Sequence, residues 1–238
     1  MVEKNPLFGE KRLLIHKQKA IPKSDKTAFS NIITLYACNL ELLKFFLKEK
    51  VVLSHENKIL RGKSKIDYYR RYRPDDDTLK EYLELIRCFW INLIDHTKVV
   101  KEYMEKSIDD SPALDYRNSE GGNLLFRPIG QVPFVQTAIK IYSLEESWEC
   151  VFAKLKEIPF ELGKTPWVEV VWNSINKKML TRGRDKLIKQ LMFYMSEKTF
   201  LSNTEIQDMI KNYRASKQLD DDYDVLEEIN RSIIIDFT

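Results

Sequence analysis

Glycine most constrains this chain: 238 residues hold only seven, and Gly121, Gly122 and Gly130 fall within ten residues of one another. Folds rich in sheet turn tightly and often, and they draw on glycine for backbone with positive φ. Outside that one decade the chain is therefore expected to consist of helices joined by short connections. The apolar pattern agrees. Phe29, Ile32, Ile33, Leu35, Tyr36, Leu40, Leu43, Phe46 and Leu47 recur at three and four, which predicts an amphipathic helix over 27–48. Tyr82, Leu85, Ile86, Phe89, Trp90, Leu93, Ile94 and Val100 predict one long helix over 79–106, with Asp75, Asp76, Asp77 and Thr78 supplying its N-cap and negative charge.

Shorter helices are expected over 134–142 with Pro133 in the first turn, from Ser143 to Leu155, and over 184–198, 204–214 and 223–235. Residues 1–26 read as irregular or short strand, and 51–77 as a polar connection. The fold class is thus mainly α, an irregular helical domain with one or two short strands near 124–129. A basic amino-terminal segment with the first long helix (1–73), a helical core (74–214) and an acidic tail or helix (215–238) together make one domain.

With 43% hydrophobic and 32% charged residues the chain has enough apolar surface to fold, which excludes wholesale disorder. Met1 to Pro6 carries charges where a signal peptide would be apolar, and no run approaches a membrane span, so a cytoplasmic protein without a membrane partner is expected. Cys38, Cys88 and Cys150 are odd in number and far apart, a spacing that suits buried thiols on helices better than disulfides or zinc. The net charge of +3 hides an asymmetry: residues 1–73 hold 17 Lys and Arg against 7 Asp and Glu, whereas Asp220, Asp221, Asp222, Asp224, Glu227 and Glu228 make the carboxyl end acidic. A basic first third points to a polyanion or an acidic partner surface.

No phosphate-binding glycine loop, nucleophile elbow or paired-histidine metal motif occurs, and His16, His55 and His96 lie in separate segments. No catalytic residue, metal ligand or cofactor is assigned. Asp75–Asp77, Asp109 and Asp110 could serve a metal-dependent nuclease only by tertiary convergence; locally they read as a helix start and a helix exit. Two basic groups carry more weight as nucleic-acid contacts. Arg61, Lys63, Lys65, Arg70, Arg71 and Arg73 are interleaved with Tyr68, Tyr69 and Tyr72, cations for phosphates beside rings that bond phosphate or stack on unpaired bases. Lys177, Lys178, Arg182, Arg184, Lys186 and Lys189 form the second, with the first four as its candidate contacts.

The decade Gly121, Gly122, Asn123, Leu124, Leu125, Phe126, Arg127, Pro128, Ile129, Gly130, Gln131 reads as a turn, a short buried strand and a tight helix entry. Pro128 restricts Arg127 to extended backbone, so the guanidinium is fixed in direction and needs a partner: an internal carboxylate such as Asp115 or Glu120, or a phosphate.

This string resembles the carboxy-terminal half of the DGQHR-domain proteins, which include the DndB-like proteins associated with DNA sulfur modification. There an apolar strand ending in Phe-Arg-Pro and Gly precedes a helix, a Trp-containing helix, a Pro-Trp segment and a last helical region. The matching pieces here are Leu124 to Gln131, Trp148 to Leu155, Pro166 to Trp172 and Lys186 to Met195, with Lys17 to Leu43 similar to the family's basic segment and following helix. The resemblance spans nearly the whole chain, but the Asp-Gly-Gln-His-Arg motif, which belongs to a nuclease-like amino-terminal domain, is absent. It therefore implies DNA association rather than catalysis: an accessory protein of a DNA-modification or defence system. The alternative it implies is a helical module that completes a separately encoded subunit carrying the DGQHR-type domain.

Overall fold

The computed structural model describes residues 7–9 and 11–234. The expectations placed on Met1 to Pro6 and on residues 235–238 lie outside the described residues.

Asn31 takes extended backbone and accepts the Thr34 amide at 2.8 Å, which starts α1 (Ile32–Phe46). Leu35, Cys38 and Leu42, spaced at three and four, turn into the core. Just before α1, β1 (Leu13–Leu14) pairs in parallel with β2 (Ser30–Asn31). After it come an antiparallel hairpin, β3 (Val52–Leu53) with β4 (Ile59–Leu60), and the short α2 (Lys63–Arg71). Then follow α3 (Asp76–His96), α4 (Lys98–Glu105), α5 (Pro128–Glu145) and α6 (Trp148–Leu155). A second antiparallel hairpin, β5 (Trp172–Asn173) with β6 (Lys178–Met179), leads into α7 (Asp185–Ser196), α8 (Asn203–Lys217) and α9 (Val225–Ile234). The fold is mainly α, as the glycine scarcity predicts.

At the centre lies α5, which buries Ile129, Phe134, Val135, Ala138 and Ile141 and packs chiefly against α7, α1 and α6. One buried cluster runs from Phe8 to Ile229, so the acidic carboxyl end still contributes Val225 and Ile229 to the interior. Asp220, Asp221, Asp222 and Asp224 stay exposed. Trp167 and Trp172 are buried and Trp148 partly so.

Five expectations need correction. No strand forms over 124–129: Leu124–Phe126 is a 3₁₀ turn, and Pro128 opens α5. A strand turns alternate residues to opposite faces, whereas Leu124, Leu125 and Phe126 are all buried, which a turn of three residues can achieve. Helix α5 therefore begins well before Pro133, with Pro128 rather than Pro133 in its first turn. Gly130 makes this entry possible, because a Cβ there would stand 2.4 Å from the Leu124 carbonyl. The long helix over 79–106 is two helices. Thr97, extended at φ −102°, ends α3 while its carbonyl accepts the amides of Val100 and Lys101 to start α4. The polar connection over 51–77 contains the first hairpin and α2. Finally, Cys38 is buried, but Cys88 is half-buried and Cys150 exposed, although all three sit on helices.

Candidate nucleic-acid interface

Residues 52–73 form a small unit built from the first hairpin and α2. Helix α2 buries no residue, and no other helix or strand packs extensively against it. Its own order comes from rings: Tyr72 lies 4.9 Å from Tyr68 and 4.5 Å from His55, which also meets Tyr68 at 5.4 Å. Helical spacing places Tyr68 and Tyr72 one turn apart, and the hairpin turn carries His55 to them. Burial and the nearby Asp75 carboxylate raise the pKa of Tyr69, so its hydroxyl remains a donor at neutral pH.

In the same stretch Arg61, Lys63 and Arg71 are exposed. Arg70 donates to the Tyr36 hydroxyl at 3.1 Å and lies 3.7 Å from Asp67, and Arg73 pairs with Asp76 at 2.6 Å. All three contacts are exposed, where ion pairs are weak and easily exchanged for phosphate. Lys65 differs. Its ammonium donates to the carbonyls of Leu47 at 2.8 Å and Lys48 at 3.3 Å, and also to that of Lys50, and so satisfies the carboxyl end of α1. Five of the six cations of the first group are thus exposed within 61–73, and the sixth turns to backbone carbonyls.

The second group is not gathered in the same way. Lys178 and Arg182 are exposed, but Lys177 pairs with Glu120 at 3.1 Å, and Arg184 is half-buried against the Ser216 hydroxyl.

The glycine decade acts from inside. Gly121 and Gly122 have φ of +104° and +77°, and a Cβ on Gly122 would lie 2.0 Å from the Tyr116 carbonyl, so this turn closes only with glycine. Arg127 is extended as its place before Pro128 requires, at φ −118°. Its expected carboxylate partners are otherwise engaged: Asp115 with Lys106 and Glu120 with Lys177. Arg127 instead donates to the Gly121 carbonyl at 2.7 Å and lies 6.0 Å from the Trp172 ring. Burial, with Arg117 nearby, lowers its pKa to about 10.

Three polar residues that sequence reasoning passed over organise this interior. Gln131 receives the Ser30 hydroxyl at 2.6 Å and donates to the carbonyls of Leu125 at 2.8 Å and Phe29 at 3.2 Å. Arg12, within the basic first third, is buried and donates to the carbonyls of Tyr103, Met104 and Lys106 at the end of α4. Arg117 pairs with Asp25 at 3.1 Å. Gln131 stands in the sequence as a polar residue within an apolar run, whereas Arg12 beside Lys11 and Arg117 among polar residues carry no local signal.

Asp75 caps α3 by accepting the Thr78 amide at 2.9 Å, the structural role its position suggested. His16 accepts the Gln18 amide and His96 stacks on Phe152. Among the described residues no group of three or more His, Cys, Asp and Glu could hold a metal ion, and no helix is long and apolar enough to cross a membrane. No family model, curated protein or solved structure matches the chain.

Proposed function

We propose that this protein is an accessory, DNA-associated component that binds nucleic acid through the unit formed by the first hairpin and α2. One observation carries the reading: Lys63, Arg70 and Arg71 of α2, with Arg61 and Arg73 flanking it, are exposed in the same stretch as the rings of Tyr68 and Tyr72, and α2 buries nothing in the core. Folding of the body does not call for these residues. Cations that neutralise phosphates, beside rings that offer faces to unpaired bases, suit a surface that tracks a nucleic-acid backbone without reading its sequence. The DNA-modification or defence setting, and the alternative of completing a DGQHR-type subunit, rest on the resemblance of Leu124 to Gln131 and the segments that follow it.

The test is a gel-shift titration against duplex and single-stranded DNA at two salt concentrations. Replacing Arg70, Arg71 and Arg73 with Gln should weaken binding about tenfold or more for every sequence and lower the slope of log K against log salt by about 2 to 3. Tyr72→Ala should weaken the single strand more than the duplex. Absence of binding at low salt would remove the nucleic-acid reading. It would leave the exposed Val51, Leu53 and Ile59 of the same hairpin as the docking face for a protein subunit.

A further inference from the structure

Arg117 and Arg127 border a cavity of about 390 Å³ between the segment around Lys19, the start of α5 and the passage from β6 into α7. Arg117 keeps only 7% of its side chain exposed and gives Nη2 to Asp25, yet its Nη1 finds no acceptor. Arg127 gives Nη2 to the Gly121 carbonyl, and its Nε likewise has none. Buried charged donors left unpaired are unfavourable, and native proteins seldom keep two together without a use.

The local charge is also unbalanced. Lys19, Arg117 and Arg127 line the cavity with one carboxylate, Asp185 at the first position of α7, while Asp25, outside the lining, is held by Arg117. Of the two guanidinium groups Arg117 has the Asp25 carboxylate as partner, whereas Arg127 has only a backbone carbonyl. The 18-residue α5 starts here without a side-chain cap, so its positive end adds to the field. The lowered pKa of Arg127 reports the same thing: burial beside a second guanidinium disfavours its charge.

We propose that this cavity binds a small organic oxyanion, a phosphate monoester or a carboxylate carried on an apolar body. Arg127 takes the oxyanion, and Ile21, Phe126, Ile129 and Met179 enclose the body. A concave, mostly apolar site of this size with few polar groups is the usual form of a small-molecule pocket, and a planar guanidinium fork matches an oxyanion better than a point charge does. No residue of the unit 52–73 lines this cavity, so loss of oxyanion binding and loss of DNA binding are separate outcomes.

Calorimetric titration of the full chain with phenylphosphate, benzoate, phenol and inorganic phosphate tests it. Phenylphosphate or benzoate should bind with Kd at or below about 1 mM, inorganic phosphate about tenfold more weakly, and phenol not measurably. Arg127→Gln should weaken the bound oxyanion about tenfold or more. Thr181→Glu, an exposed change at the cavity edge that leaves packing intact, should do the same by repulsion. No binding of either organic oxyanion at about 10 mM overturns the proposal, as does unchanged binding by Thr181→Glu. Inorganic phosphate binding as well as phenylphosphate removes the apolar body from it. Displacement of the bound oxyanion by a single-stranded oligonucleotide would instead assign the cavity to the nucleic-acid path and overturn the small-molecule reading.

Discussion

The glycine-rich segment 121–131 and the unit 52–73 draw on the same residue types, glycine, arginine and aromatic rings, and use them in opposite ways. In the decade, Phe126 is fully buried, stacked on Tyr116 at 4.3 Å with Tyr103 and Phe29 at 5.0 and 5.1 Å, and the glycines permit backbone approaches no other residue allows. In the appendage, Tyr72 keeps 45% of its surface exposed, its rings touch mainly one another, and Gly62 has open space where a Cβ would be. Identical chemistry is structural where the chain packs around it and is left for a partner where it does not. The difference lies in burial, which composition alone does not record.

The largest expected effect tests this contrast directly. Phe126→Ala removes the ring at the centre of the aromatic knot and should cost about 3 to 5 kcal/mol in denaturant unfolding. Tyr72→Ala in the appendage should change stability by no more than about 0.5 kcal/mol. A loss below about 1 kcal/mol for Phe126→Ala would break the comparison, because the decade would then be as dispensable to the fold as the appendage.

Gln131 gives the next effect and shows how the decade is tied to the strand before α1. Gln131→Leu leaves the carbonyls of Phe29 and Leu125 without their side-chain donor and the Ser30 hydroxyl without its acceptor. Unfolding should become easier by about 2 to 3 kcal/mol, and adding Ser30→Ala should recover part of that by removing one orphaned group. If the double variant is no more stable than Gln131→Leu, the Ser30 hydroxyl is not coupled to Gln131.

Period and punctuation made much of the fold legible. The spacing around Leu35, Cys38 and Leu42, the Asp75 cap and the scarcity of glycine all act within a few residues, so the sequence displays them. The helix break at Thr97 was hidden because Leu93 and Val100 keep helical spacing across it, and only the packing of α4 against distant residues requires the turn. The same holds at Arg12, whose carbonyl partners are more than ninety residues away. Of the candidate interface, the Tyr-interleaved cations were visible as a run. The hairpin that brings His55 to Tyr72, and the inward course of Lys65, depend on contacts no local pattern encodes.

Lys65 and Arg71 bring the comparison down to two cations on one helix. Lys65, near the start of α2, reaches back to the last carbonyls of α1, while Arg71, in the last turn, is exposed. Removing the Lys65 donor frees three carbonyls just after α1, of which those of Lys48 and Lys50 lie at exposed bonds that water can replace, so the loss should be modest. Lys65→Met should lower stability by about 0.5 to 1 kcal/mol, the net worth of such a bond near the surface. Arg71→Met should leave stability within about 0.5 kcal/mol and, on the proposed function, weaken DNA binding and lower the salt slope by about 1. Lys65→Met should barely move the salt slope, because its charge already faces backbone oxygens rather than solvent. Equal losses of DNA affinity from the two changes would mean that the lysine swings out to phosphate when nucleic acid arrives, and the division between structural and functional cations on α2 would have to be redrawn.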